Sequence, residues 1–224
     1  GYFDLDPYNP VFDYSASGIR KSLEESLSRL GLDSVDILYI HDPDDYLDQA
    51  INEAYPELDK MRSEGLVASI GVGTNLAEIG ARFVRETDID VALVAGRYTL
   101  LDQIALDDFL PEAQRRNVSV LGAGVFNSGV LVNPVEGATY NYEPAAQEVL
   151  TRARSIHEIL AAHNVSPASV GLQFPFRHPA VKAVLSGVRS VGELESNVAD
   201  FDADVPSAVW ADLESAGLIR SLPS

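Results

Sequence analysis

Short apolar runs alternate with amphipathic stretches along most of the chain. Five runs rich in Val, Ile, Leu and Ala read as strands: "VDILYI" (35–40), "VASIGVG" (67–73), "VALVAG" (91–96), "VSVLGAG" (118–124) and "VKAVLSG" (181–187). Near-continuous hydrophobicity of this kind marks strands buried on both faces of a parallel sheet. Between them, "SASGIRKSLEESLSRLG" places Ile19, Leu23, Leu27 and Leu30 on one face of a helix, with Ser15 or Ser17 as N-cap and Gly31 just past the end. The stretch 46–64 is helical in composition but carries Pro56, which predicts a kink or two pieces, the second starting at the proline and stopping at Gly65. Asn75 is positioned to cap "LAEIGARFV", and "LDDFLPEAQRRN" and "AQEVLTRARSIHEILAAH" supply further helices. Strands alternating with helical crossovers predict an α/β fold, either a barrel or a doubly wound sheet. The single long connection, about 125–145, is rich in Gly, Asn, Pro and Tyr.

The two arrangements differ in where chemistry should lie. A dinucleotide-binding doubly wound sheet wants GxGxxG after its first strand, and both "GVGTNLAEIG" and "GAGVFNSG" are off that pattern. A barrel instead collects functional residues at the C-terminal ends of successive strands. Here His41, Thr74 and Asn75, Arg97 and Tyr98, Asn127 and Ser128, and Arg189 and Ser190 each follow a strand.

At the mouth of a barrel, a neutral His41 imidazole can donate a hydrogen bond to a substrate oxygen while protein holds its other nitrogen. The alternative is a core histidine satisfied by a neighbour. "HDPDD" also offers carboxylates to a divalent cation, but no second acidic or histidine cluster with ligand spacing accompanies it. In "GVRSVGELESN" (187–197), Arg189 and Ser190 open a helix whose backbone N–H groups suit a phosphate; the same pattern also describes an ordinary serine-capped turn. In "AGVFNSGVL" (123–131) glycines let backbone approach a pyrophosphate, or simply make a flexible turn. Tyr98 either stacks on a planar ring or packs under the next helix, while His157, His163 and His178 are assigned structural or surface roles.

Composition narrows the class. At 224 residues, 46% hydrophobic and 22% charged, the chain can bury a sizeable core as a single domain, 1–224. It has no cysteine, which excludes disulfides, thiol nucleophiles and Cys-ligated metals and fits a cytoplasmic enzyme. The net charge is −18 and the basic residues are scattered, so nucleic acid is repelled rather than bound. No apolar run approaches the roughly 20 residues that span a bilayer, and "GYFDLDPYNP" lacks the regions of a signal peptide. Neither membrane insertion nor secretion is expected; the oligomeric state is left open.

Several longer segments carry a resemblance: 12–45 ("FDYSASGIRKSLEESLSRLGLDSVDILYIHDPDD"), 54–75 ("AYPELDKMRSEGLVASIGVGTN"), "AGRYTLLDQ", "FNSGVL", "TYNYEPA", "LQFPFRHPAV" and "PSAVWADLESAGL". In this order they resemble the aldo-keto reductase superfamily, and within it the aldose 1-dehydrogenase group acting on L-fucose and other D-threo-aldoses. The resemblance implies a (β/α)8 TIM barrel that binds NAD or NADP at its C-terminal mouth. It also implies direct hydride transfer between nicotinamide and a small sugar or other carbonyl substrate. His41 matches the tetrad histidine that hydrogen-bonds the reacting oxygen. Asn75 matches the residue holding the nicotinamide carboxamide, with Thr74 beside it, and Phe126 stands in for the aromatic that stacks on the ring. Asn127, Ser128 and Gly129 fall in the loop near the pyrophosphate, and Gly187, Arg189, Ser190 and Asn197 match the signature for the adenosine phosphate and adenine.

The departures from the family are informative. Ala95 stands where many members carry a glutamine. Glu193 lies where a carboxylate would repel a 2′-phosphate, a pointer to NAD. The family's first three β/α units have no counterpart, and with them go the tetrad's aspartate, tyrosine and lysine; Tyr2 and Tyr14 lie in the segment leading into the third helix and lack the surrounding motif, so neither stands in. The expectation is therefore the C-terminal five β/α units of a longer barrel, the 224 residues alone being inactive. A non-catalytic nucleotide- or partner-binding module, or a reductase of another aldehyde such as pyridoxal, is the alternative.

Overall fold

The computed structural model describes residues 11–141 and 143–222; Tyr2 and the rest of "GYFDLDPYNP" lie outside them. Helix α1 (Ala16–Leu30) starts at Ser15, whose hydroxyl accepts the Gly18 N–H at 3.1 Å, and stops at Gly31, where φ is 68°. Only Leu23 and Leu27 of its apolar face are buried, Ile19 being half-buried and Leu30 exposed, so the face is narrower than the spacing predicts.

Strand β1 (Val35–His41) leads through a 3-10 turn, Asp44–Tyr46, to α2 (Leu47–Gln49), a π turn at Ala50–Ala54 and α3 (Tyr55–Ser63). Pro56 lies in the first turn of α3. The widened π turn before it accommodates the missing N–H and the ring, so the chain stays helical across the proline. There follow β2 (Val67–Thr74), α4 (Ala77–Glu86), β3 (Val91–Ala95), α5 (Phe109–Arg115) and β4 (Ser119–Ala123). The long connection carries a 3-10 turn, Asn127–Gly129, and a small hairpin of β5 (Thr139–Tyr140) and β6 (Glu143–Pro144). The remaining elements are α6 (Gln147–Ala162), α7 (Pro167–Gln173), β7 (Val181–Leu185), α8 (Val191–Phe201) and α9 (Ser207–Ser215). Helix α7 escaped the periodicity because it has seven residues; its signal was the pair Ser166–Pro167, with the Ser166 hydroxyl accepting the Ala168 N–H at 3.1 Å.

β1, β2, β3, β4 and β7 form one parallel sheet in that order. Register aligns His41 with Gly73, Thr74 with Val94, Ala95 with Ala123 and Ala123 with Leu185, which brings all five C-terminal ends to one edge. Gly71 permits the closest approach in the sheet: a Cβ there would lie 2.2 Å from the Val91 carbonyl oxygen. Ile70, Val72, Phe83, Phe109, Leu110 and Val120 fill the core between sheet and helices. By contrast α8 buries none of its residues; Val191, Leu194, Val198 and Phe201 are exposed, as are Ile37 and Leu185 on the edge strands.

The strand boundaries move the expected site residues slightly. His41 and Thr74 end their strands rather than follow them. Asn75 does not cap α4: Leu76 is the N-cap, and Thr74 Oγ1 accepts the Leu76 N–H at 3.0 Å. The threonine hydroxyl, two residues ahead, makes the shorter local turn.

Candidate functional site at the C-terminal strand ends

A cavity of about 300 Å³ opens where β3, β4 and β7 end. Asn75 lines it from beyond β2, Ala95 and Gly96 from β3, and Leu185, Ser186 and Gly187 from β7. Its largest wall is the segment Gly124–Gly129 after β4, and Asn141, in the turn of the β5–β6 hairpin, completes it. The predicted residues Asn75, Phe126, Asn127, Ser128, Gly129 and Gly187 therefore converge on one space.

Local backbone explains this wall. Asn127, Ser128 and Gly129 have φ of 47°, 60° and 92°, a run of left-handed residues that only Gly and small polar side chains adopt readily. The curl buries Asn127, whose Nδ2 donates to the Gly96 carbonyl oxygen at 3.3 Å.

Other predicted residues are turned to different work. Thr74 is buried, and besides accepting from Leu76 its hydroxyl donates toward Asp44 Oδ1 at 3.4 Å. Ser190 caps α8 by accepting the Glu193 N–H at 3.1 Å, while Glu193 Oε2 accepts the Arg189 N–H at 2.7 Å. The Arg189 guanidinium is 93% exposed and 3.7 Å from Glu193, outside the cavity lining. Asn197 Nδ2 donates to Ser186 Oγ at 3.1 Å, so it acts on the wall through a neighbour.

His41 stands at the same edge of the sheet, one strand beyond Asn75, and its side chain is 69% exposed. It does not line the cavity. Its Nε2 lies 3.6 Å from Asp42 Oδ2. Its backbone is held by Tyr14, whose hydroxyl donates to the carbonyl oxygens of His41 and Asp42. Burial, with Asp42 and Asp44 nearby, pushes the Tyr14 phenol up to about 12. Burial and Asp42 likewise raise Asp44. Among the described residues no group of three or more His, Cys, Asp or Glu side chains is placed to hold a metal ion.

Tyr98 is buried on Phe174, ring centroids 4.9 Å apart, which makes it a packing residue. His157 and His163 bond to the Leu131 carbonyl and Asp212, and buried His178 accepts the Ala180 N–H. The sequence pattern overlooked Asp102, whose Oδ2 accepts from Arg97 at 3.0 Å and from the Tyr140 hydroxyl at 3.2 Å. Arg97 Nε also donates to the Asn75 carbonyl oxygen at 2.7 Å, so one network joins the ends of β2 and β3 to the hairpin.

A five-stranded parallel sheet flanked by helices, with a cavity at the C-terminal strand ends, defines an α/β protein with its site where such folds place it. Residues 5–217 match the model of the aldo/keto reductase family, and the chain belongs to that family. This match lends no support to the expectation that the family's first third has no counterpart here. The chain is 37% identical to pyridoxal 4-dehydrogenase of Microbacterium luteolum, over 95% of this chain and 65% of that protein. It is 38% identical to D-threo-aldose 1-dehydrogenase of a Pseudomonas species, over 96% and 66% respectively. L-galactose dehydrogenase of Arabidopsis thaliana is 32% identical, over 94% and 63%. The chain thus spans about two-thirds of the length of these relatives. In fold it is similar to an aldo-keto reductase of Bacillus halodurans in its holo form, with a TM-score of 0.72 at 22% identity, over 88% of this chain and 65% of that one. Glycerol dehydrogenase of Gluconobacter oxydans also has a TM-score of 0.72, at 21% identity, over 99% and 71%. Among the described residues no helix is long and apolar enough to cross a membrane.

Proposed function

We propose that the chain is the nicotinamide-binding part of an NAD(P)-dependent oxidoreductase that moves hydride to or from the anomeric carbon of an aldose such as L-fucose. The observation carrying this is the convergence of Asn75, Phe126 and the Asn127–Gly129 curl on one cavity, with His41 at the same edge of the sheet. The residues fit such a cofactor: Gly96, Gly124 and Gly187 bring backbone to the cavity wall beside Asn75 and Phe126.

NAD(P)+ bound there supplies the hydride acceptor. Asn75 would hold the carboxamide, Phe126 would offer the ring a flat face, and the backbone of Ser128–Gly129 and Ser186–Gly187 would serve the phosphates. His41 donates a hydrogen bond to the reacting oxygen and orients it. Thr74, Ser190 and Asn197 hold the loops that carry these contacts. Arg189, exposed beside Glu193, would have to turn to reach an adenosine phosphate, and a carboxylate at Glu193 would disfavour a 2′-phosphate and so favour NAD over NADP.

The five strands are read as the last five units of an eight-stranded barrel. Exposed Ile37, Leu185 and the apolar stripe of α8 are surfaces that further units would cover, since open sheet edges and bare apolar faces are liabilities. A binding-only role for the 224 residues is the second reading, favoured by the commitment of the Tyr14 hydroxyl to two carbonyls.

The test is NAD(P)H absorbance on mixing protein and NAD(P)+ with L-fucose or with pyridoxal. Sugar-dependent reduction supports the aldose reading, and turnover of pyridoxal alone moves the substrate to that aldehyde. Dinucleotide binding without turnover of either leaves the binding role.

A further inference from the structure

Gln103 lies in the loop that follows β3 and is only 7% exposed. Its amide is committed to the far end of the chain: Oε1 accepts the Arg220 N–H at 2.8 Å, and Nε2 donates to the Leu218 carbonyl oxygen at 3.2 Å, 115 residues away. Within the loop, Nε2 also donates to the Leu100 carbonyl oxygen at 3.4 Å. The Arg220 guanidinium adds bonds to the Gln103 carbonyl oxygen at 3.3 Å and to Asp107 Oδ1 at 2.6 Å. A buried amide satisfied on both atoms by one short segment seats that segment on the loop, because either partner left alone would be an unpaired buried group.

The loop is bonded to itself. Thr99 Oγ1 accepts the N–H groups of Leu101 and Asp102, the Thr99 N–H donates to the Asp102 carbonyl oxygen at 2.7 Å, and the Ala105 N–H closes on the Arg97 carbonyl oxygen at 3.1 Å. With Tyr98, Leu100 and Ala105 buried as well, it can shift only as a unit. The same unit holds the cavity rim: Arg97 donates to the Asn75 carbonyl oxygen, and Asp102 accepts from Arg97 and from Tyr140, the neighbour of Asn141. Asn75 and Asn141 both line the cavity. We infer that Gln103 is a positioning residue: by seating Leu218–Arg220 on this loop it sets where Arg97 and Asp102 hold the Asn75 and Asn141 sides of the cavity. The C-terminal segment thereby becomes a determinant of nucleotide affinity without touching the nucleotide. This rests on the dinucleotide reading of the cavity and adds to it a residue outside the lining.

The experiment pairs calorimetric titration with NAD+ and NADP+ with amide hydrogen exchange of the nucleotide-free protein. Gln103→Leu keeps the bulk of the side chain and removes both bonds, and Arg220→Ala removes only a half-exposed guanidinium, so it decides the matter if the first variant does not fold. Gln103→Leu is expected to weaken nucleotide binding about tenfold and Arg220→Ala about threefold. Exchange at the Leu76 amide, next to Asn75, is expected to quicken by similar factors. His163→Ala is the control: it cuts the bond from the end of α6 to Asp212 of α9, loosening the same C-terminal region without touching the loop, and should change neither readout. Unchanged affinity and unchanged exchange at Leu76 in the folded Gln103 and Arg220 variants overturn the inference, as does an equal loss in His163→Ala. If neither nucleotide binds the unmodified protein, the dinucleotide reading fails, and exchange at Leu76 alone decides the positioning role.

Discussion

The Tyr14 hydroxyl donates to the carbonyl oxygen of His41 at 2.7 Å and is shared with that of Asp42 at 2.9 Å. The segment ahead of α1 is thereby tied to the last residue of β1, and the histidine is held from behind. This bond assigns Tyr14 to architecture: its proton is engaged and its phenol is raised to about 12.

Tyr14→Phe should therefore lower stability by about 0.5–1.5 kcal/mol in urea unfolding and reduce turnover by less than about tenfold. A raised phenol stabilises the fold fully below its ordinary 10.0, and that contribution is lost as pH rises from 10 to about 12. The variant should show a smaller alkaline loss across that window.

His41→Ala should act the other way. Its imidazole is 69% exposed and packs little, so unfolding should move by no more than about 0.5 kcal/mol. Steady-state turnover should fall by about 10²–10⁴ if the ring orients the reacting oxygen.

Asp102→Asn tests the network beneath the cavity rim. Arg97 and Asp102 are only 19% and 18% exposed, and the carboxylate accepts from both Arg97 and Tyr140. Weakening this charge-assisted pair should cost about 1.5–3 kcal/mol and raise KM for dinucleotide more than it lowers kcat, because Asn75 and the hairpin lose a shared anchor.

Gly71→Ala probes the sheet itself. A Cβ would meet the Val91 carbonyl oxygen at 2.2 Å, and backbone gives way less easily than a side chain. Thermal unfolding should report a loss of about 1–3 kcal/mol or more.

His178 gives an acid-side prediction. Burial lowers its pKa below the ordinary 6.5, so the unfolded chain binds the proton first. Stability contributed by the neutral ring is present above pH 6.5 and declines as pH falls from there toward the folded pKa. His178→Gln should flatten that part of the stability–pH profile.

Much of the architecture was legible from local pattern. The five β-rich runs appear as the five strands of the sheet, and the Ser15 and Gly31 ends of α1 lie where cap chemistry puts them. Pro56 marked the join before α3. Helix α7 was missed because seven residues give too little periodicity, and Leu30 was over-read because spacing does not say how wide a covered face is.

The candidate site divides along the same line. Strand ends are local features, so His41, Asn75 and the Asn127–Gly129 curl stood out in the chain as written. Which of them share a cavity depends on parallel register, which sets residues far apart in sequence side by side. Thr74 and Arg189 look equivalent to Asn75 and Gly187 in one dimension, yet one hydroxyl is consumed by Leu76 and one guanidinium stays in solvent beside Glu193. Asp102 and Asn141 carry no periodic signal; their places come from a hydrogen bond across 38 residues to Tyr140 and from the turn of a hairpin. Propensity and periodicity act over one or two turns of chain, whereas the contacts that close a cavity are chosen by packing between elements, and only the folded chain contains them.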